Sequence, residues 1–165
     1  MTKNSTSNLR FAFRVAALPL LAALALTAST ASPALADRCD DIAAQLGGAI
    51  DGIKVGFRAE NNIYLSHPLA KEMSVGCTGR NFQNELYVKA DDRKPKRAFL
   101  DFVGSAAAIV FTLPKDDALT GVSRCMTRMG LLRGDNIKMR YRRLDFSCSR
   151  NKTEAWIAIT RGADE

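Results

Sequence analysis

Cys39, Cys77, Cys125 and Cys148 are spaced 38, 48 and 23 residues apart, and this constrains the fold more than any other feature. No CxxC pair occurs, so neither a zinc knuckle nor a thioredoxin-type redox pair is encoded. The N-terminus sets the redox compartment. Lys3, Arg10 and Arg14 form a basic segment without acids, Val15–Leu26 is an apolar run, and Ala34-Leu35-Ala36 is a small-x-small cleavage pattern. These are the parts of an export signal spanning residues 1–36. The apolar run is too short for a bilayer and Pro19 interrupts it. Cys39 follows Ala36-Asp37-Arg38 rather than small apolar residues, which disfavours a lipoprotein. The expectation is a mature chain, residues 37–165, that is periplasmic or secreted and has no transmembrane segment. An even number of cysteines in an exported chain points to two disulfides.

Cleavage leaves 129 residues, enough for one domain with a single core. Three of the 24 basic residues leave with the signal. That leaves 21 against 17 acids, a net charge of +4 rather than +7. The charge is mild and an envelope protein meets little nucleic acid, so no nucleic-acid partner is expected.

Periodicity organises the mature chain. Asp40 or Asp41 can cap a helix carrying Ile42, Leu46 and Ile50, with Gly52 placed to end it. Strands are expected around Ile53–Arg58, Ile63–Ser66, Met73–Cys77 and Leu86–Ala90, with a turn at Glu60-Asn61-Asn62. A charged connector, Asp91–Arg97, precedes two helical stretches. One carries Phe99, Phe102, Val103, Ala106, Ala107 and Val110. The other follows Pro114 and carries Ala118, Val122, Cys125, Met126 and Met129.

The C-terminus reads as a hairpin turning at Asn151-Lys152. Cys148 would then face Ala155, Phe146 would face Ile157 and Leu144 would face Ile159. All six share one face, and the stripe containing Cys125 should cover it. This predicts Cys125–Cys148 and, by remainder, Cys39–Cys77. Upstream the apolar phase reverses: Ile137, Met139 and Tyr141 are odd, whereas Leu144, Phe146 and Cys148 are even. A β-bulge at Arg142-Arg143 would repair the phase and leave Lys138, Arg140 and Arg142 as an outward row of cations.

The fold class expected is α+β: an antiparallel sheet of about five strands with helices packed on one face, stapled by two disulfides. No catalytic motif, metal-ligand cluster or cofactor fingerprint is present in the sequence. His67 is the only histidine, and with four cysteines expected to pair it has no free thiol to activate. The adjacent acids Asp40-Asp41, Asp91-Asp92 and Asp116-Asp117 point apart rather than converge. The reading is a non-enzymatic exported binding or accessory protein. Its candidate binding residues are Lys138, Arg140, Arg142, Arg143 and Trp156, and its partner is a protein or an anionic envelope component. A small envelope enzyme without a recognisable motif and a secreted effector or inhibitor are the alternatives.

Overall fold

The computed structural model describes residues 34–78, 83–130 and 132–162. Contacts divide the chain into Met1–Ala31 and Ser32–Glu165, and the second unit holds everything below. Residues 1–33 of the expected export signal lie outside the described residues. Ala34–Ala36 sit in the first turn of the first helix.

The elements in chain order are α1 (Ala34–Ala49), β1 (Lys54–Ala59), β2 (Asn62–His67), β3 (Ala70–Thr78), β4 (Gln83–Ala90), α2 (Arg97–Phe111), α3 (Lys115–Arg128), β5 (Asn136–Tyr141), β6 (Leu144–Arg150) and β7 (Ala155–Arg161). The strands form one antiparallel sheet in the order β1-β2-β3-β4-β7-β6-β5. The chain runs outward-in from β1 to β4, crosses through α2 and α3, and restarts at the far edge with β5. From there β6 and β7 fold back until β7 pairs with β4. The three helices lie on one face, α1 over β1–β3, α2 over β4 and α3 over β5–β6. The α+β class, the one-sided helix layer and both disulfides match the sequence-based expectation. The strand count is seven rather than about five, chiefly because Ile137–Cys148 is two strands instead of one.

Alternation explains the layer. Leu86 and Val88 on β4, Ile157 and Ile159 on β7, and Phe146 and Cys148 on β6 are buried toward the helices, and the residues between them face away. The helices supply Phe102, Val103, Ala106, Ala107, Val122 and Cys125 to the same core. Two glycines set the helix approach. A Cβ on Gly104 would lie 3.0 Å from Leu119 of α3, and one on Gly121 would lie 2.3 Å from Cζ of the buried Phe146. Two of the three helices are also covalently tied to the sheet, α1 to β3 by Cys39–Cys77 and α3 to β6 by Cys125–Cys148.

Three local expectations are corrected. First, Asp40 and Asp41 do not cap α1, because the helix already starts upstream; Asp40 instead accepts from Arg58 Nη2 at 2.9 Å. Second, the β6–β7 register is displaced by two: Cys148 pairs with Ile157, Phe146 with Ile159 and Leu144 with Arg161. The turn is four residues long, Asn151–Glu154. Asn151 Oδ1 accepts from Thr153 N at 2.8 Å and Glu154 N at 2.7 Å, and Asn151 N donates to Glu154 O. A two-residue displacement keeps every side chain on its own face, so the apolar pattern survives it. Third, no bulge exists at Arg142-Arg143. These residues are the two-residue loop of a hairpin closed by Tyr141 and Leu144. Such a loop pairs odd residues with even ones, so the phase reversal is that of a hairpin.

A bulge does occur, but in β1. Val55 opposes Leu65 and Arg58 opposes Ile63, so Gly56 and Phe57 together oppose Tyr64. A Cβ on Gly56 would lie 2.9 Å from the Tyr64 carbonyl oxygen. The extra residue turns Phe57 onto the helix-free face, where its ring stacks on Tyr64 with centroids 4.5 Å apart.

Candidate functional site

The helix-free face of the sheet can be read row by row from the pairing. One row is Tyr64, Ser74, Tyr87, Ala158, Ser147 and Lys138. A second is Glu72, Lys89, Trp156, Ser149 and Asn136. A third is Asn62, Gly76, Glu85, Thr160, Asp145 and Arg140. Small residues in the middle, Ser147, Ala158 and Thr160, leave an open groove of about 570 Å³ bounded by Lys138, Arg140, Glu85 and Asp145. Two cations face two acids, so this groove is close to neutral.

The cationic character lies at the rim, around β5. Lys138 and Arg140 project from β5 onto the helix-free face, and both are exposed. On the opposite face, α3 brings Arg124 over the Tyr141 ring at 5.0 Å and Arg128 against the Met139 sulfur at 3.9 Å. Arg142 and Arg143 cap the strand end. Near them the structure places Asp117, 3.5 Å from Arg142 Nε, and Asp145, cross-strand from Arg140. Asp117 lies in the first turn of α3, where an acid suits the helix dipole. On the helix side of β5, Arg124 and Arg128, with Arg142 at the strand end, outnumber Asp117, whereas on the helix-free side Lys138 and Arg140 are offset across the groove by Asp145 and Glu85.

The backbone of β5 adds a second property. It is the last strand of the sheet, and among the described residues no strand pairs with its outer side. Asp135 O accepts from Arg150 N at 3.0 Å, which makes the pair 135/150 a hydrogen-bonded one. Hydrogen-bonded and non-bonded pairs alternate along an antiparallel ladder. The odd residues Ile137, Met139 and Tyr141 thus spend their amides on β6. The even residues Asn136, Lys138 and Arg140 direct their N–H and C=O groups outward.

The loop at Arg142-Arg143 is unusual in composition. Both residues have positive φ, 51° and 63°. A two-residue hairpin needs this backbone, and Asn-Gly or Asp-Gly normally provides it. Arginine carries a Cβ into the left-handed region at a cost on the order of 1–2 kcal/mol per residue. The loop is held by surrounding contacts. Gly162 N donates to Arg143 O at 3.0 Å, and Arg142 lies 5.9 Å from the Tyr141 ring centroid.

Of the sequence-predicted residues, Lys138 and Arg140 share the helix-free face as expected. Arg142 is not their third rung, because it belongs to the turn together with Arg143. Trp156 faces away from the core as expected, but its neighbours are Lys89 and Ser149 rather than Ser147 and Asp145. It is half-buried in the row that ends at Asn136, so the structure does not join it to the arginine turn. Sequence reasoning does not reach Arg124 and Arg128. They are exposed residues flanking the α3 stripe that packs, and only the docking of α3 over β5 reveals their position.

Other charged groups are committed to one another. Glu154 accepts from Lys71 and lies 3.2 Å from Lys89 Nζ, which also donates to Glu72 at 3.0 Å. The Lys71 bond, with Lys89 and Asn151 adding to it, pulls the Glu154 carboxyl down to about 2. Asp135 accepts from Arg150 Nε at 2.6 Å and Arg93 Nη2 at 3.1 Å, and these bonds lower its pKa, Arg150 contributing most. His67 stacks on Phe102 with centroids 3.9 Å apart, its Nδ1 accepts from Leu69 N at 3.1 Å, and its Nε2 lies 3.2 Å from Asp51 O. Among the described residues no cysteine is free and no cluster of three His, Cys, Asp or Glu side chains is arranged to hold a metal. No described helix is long and apolar enough to cross a membrane.

No protein-family model, curated protein or solved structure matches this chain.

Proposed function

We propose that this chain is an exported, non-enzymatic binding protein that docks an acidic protein partner at the β5 edge. The observation that carries the proposal is the Arg142-Arg143 loop. Two residues that cost stability in this backbone stand at the end of a strand already flanked by Lys138, Arg140, Arg124 and Arg128. Backbone strain retained where Asn-Gly would relieve it is a recognised mark of a functional position. Arginine's planar fork suits carboxylates, and cations spread along a strand suit an extended acidic surface better than a small ligand. The neutral groove beside it lacks this bias. Export is supported by the basic-then-apolar N-terminal pattern and by the pairing of all four cysteines.

The test compares residues 37–165 with a variant carrying Lys138→Ser, Arg142→Asn and Arg143→Gly, both checked for folding by circular dichroism. Binding to soluble poly-glutamate and to phosphatidylglycerol vesicles is measured at low and moderate salt. The unmodified protein should bind poly-glutamate, and affinity should fall with salt as screening shortens the range to about 8 Å. The variant should lose about tenfold, since three exposed charges together contribute on the order of 1–2 kcal/mol. Equal binding by the folded variant, or no binding by the unmodified protein, overturns the proposal. Binding to vesicles alone overturns the choice of a protein partner.

A further inference from the structure

Resting on that docking site, we infer that the acidic partner is an extended segment that adds to the sheet as an eighth strand beside β5. Charge alone would allow a partner of any shape. Three further features select an extended one.

The first is the outward backbone. Asn136, Lys138 and Arg140 each direct a backbone N–H and C=O toward the outer edge, in one line. A chain lying about 4.8 Å away can engage them in the ladder geometry the sheet already uses. The second is regularity. The β5–β6 register runs from Asn136↔Ser149 to Tyr141↔Leu144 without a break, so the edge is not twisted away by a bulge as β1 is. The third is the pattern of side chains. An added strand alternates its side chains between the two faces. On the helix-free face they would lie beside Lys138 and Arg140. On the helix face they would lie beside the half-buried Met139 and Tyr141, near Arg124 and Arg128. The matching sequence alternates acids with small apolar residues over about the six-residue length of β5.

The same charges disfavour one competitor for the edge, another copy of this chain. Two β5 edges placed together would set Lys138 and Arg140 against their own kind, and like charges directly opposed across a ladder are destabilising. Cations on an edge strand are a general guard against self-pairing. Here they turn that guard into selectivity: the edge is closed to itself and open to an acidic strand.

The probe is an eight-residue peptide of alternating glutamate and valine with blocked ends, titrated into residues 37–165. Lys138→Ser and Lys138→Pro remove the same charge. Only the proline also removes the outward N–H, and it leaves the β6 ladder intact because the Lys138 amide is not part of it. Both variants are checked for folding by circular dichroism. Lys138→Ser should weaken the peptide by about two- to fivefold. Lys138→Pro should weaken it at least about fivefold more, the worth of one hydrogen bond plus a blocked approach. A second arm needs no change to the protein. Methylating the backbone nitrogens of the valines in one peptide, and of the glutamates in another, keeps every charge and removes the donors from one edge at a time. At least one of the two should stop binding. If both proline and serine variants bind alike and both methylated peptides bind like the parent, strand addition is wrong while docking by charge stands. Binding of poly-glutamate but not of the alternating peptide likewise overturns strand addition and leaves docking by charge in place. If neither is bound, the docking site itself is wrong.

Discussion

The two edges of this sheet solve one problem in different ways. Each edge strand is joined to its neighbour by a two-residue hairpin, β1 through Glu60-Asn61 and β5 through Arg142-Arg143. Each lies beneath a helix that a disulfide ties to a nearby strand. At β1 the edge is blunted by shape. The bulge at Gly56 breaks the register, Phe57 is thrown outward to 67% exposure, and Arg58 is drawn back to Asp40 on α1. At β5 the register is unbroken and the guard is charge. A distorted edge refuses every strand, whereas a charged one refuses only strands of the same sign. That difference is why the docking site is placed at β5 although β1 exposes more apolar surface, including Val55 at 50%.

Removing the disulfides should separate the two ends most strongly. Replacing Cys125 and Cys148 by alanine, or Cys39 and Cys77, should cost about 3–4 kcal/mol in either case from loop closure. Denaturant titration checks the stability. Acidic-peptide binding should suffer only in the first variant, because Cys125–Cys148 fixes α3 over β6 and hence Arg124 and Arg128 beside β5. Equal loss of binding in both would mean that the ends are not independent.

Next in size are two glycine substitutions. Gly121→Ala drives a methyl against Phe146 in a fully packed core and should cost about 2–3 kcal/mol. Gly56→Ala puts a methyl 2.9 Å from the Tyr64 carbonyl oxygen, so backbone has to move, and should cost about 1–2 kcal/mol, less than Gly121→Ala because β1 is an exposed edge strand outside the packed core. Thermal midpoints of the pair decide this, and reversal of the order would contradict the view of β1 as the yielding edge.

The arginine turn gives a prediction of opposite sign. Arg142→Asn with Arg143→Gly should stabilise the protein by about 1–2 kcal/mol, since both residues then suit positive φ. The same variant should bind acidic peptide less well. Stability that stays the same or falls would show that the arginines are not strained there.

The smallest effect lies away from both edges. Glu154 is held down to about 2 by Lys71 first and then Lys89 and Asn151. A carboxyl whose folded pKa is depressed adds stability above its ordinary value of 4.5, and that stability drains away as pH falls toward 2. Glu154→Gln should flatten the acid limb of the stability curve in that window and leave both edges unchanged.

The core faces and both disulfide pairings are legible in the sequence because a period of two survives small errors. The β6–β7 register can slip by two without moving Cys148, Phe146 or Leu144 off the core face. The slip itself is illegible because it depends on how the Asn151 side chain closes its loop. Arg142-Arg143 reads as a bulge for a chemical reason: nothing in two arginines announces a left-handed turn. Gly56, a glycine inside a strand pattern, is the available signal for the true bulge. Of the basic rim, Lys138 and Arg140 can be placed from alternation. Arg124 and Arg128 cannot, since their nearness to β5 is set by how α3 crosses the sheet.

The contrast between the edges is tested most directly by following backbone amide resonances of residues 37–165 while the alternating glutamate–valine peptide is added. Strand addition at β5 should shift Asn136, Lys138 and Arg140 most, because their amides face outward, with smaller changes at Ile137 and Met139 and none along Lys54–Ala59. Shifts centred on β1, or spread over the open face around Ser147 and Ala158 with β5 silent, would contradict it.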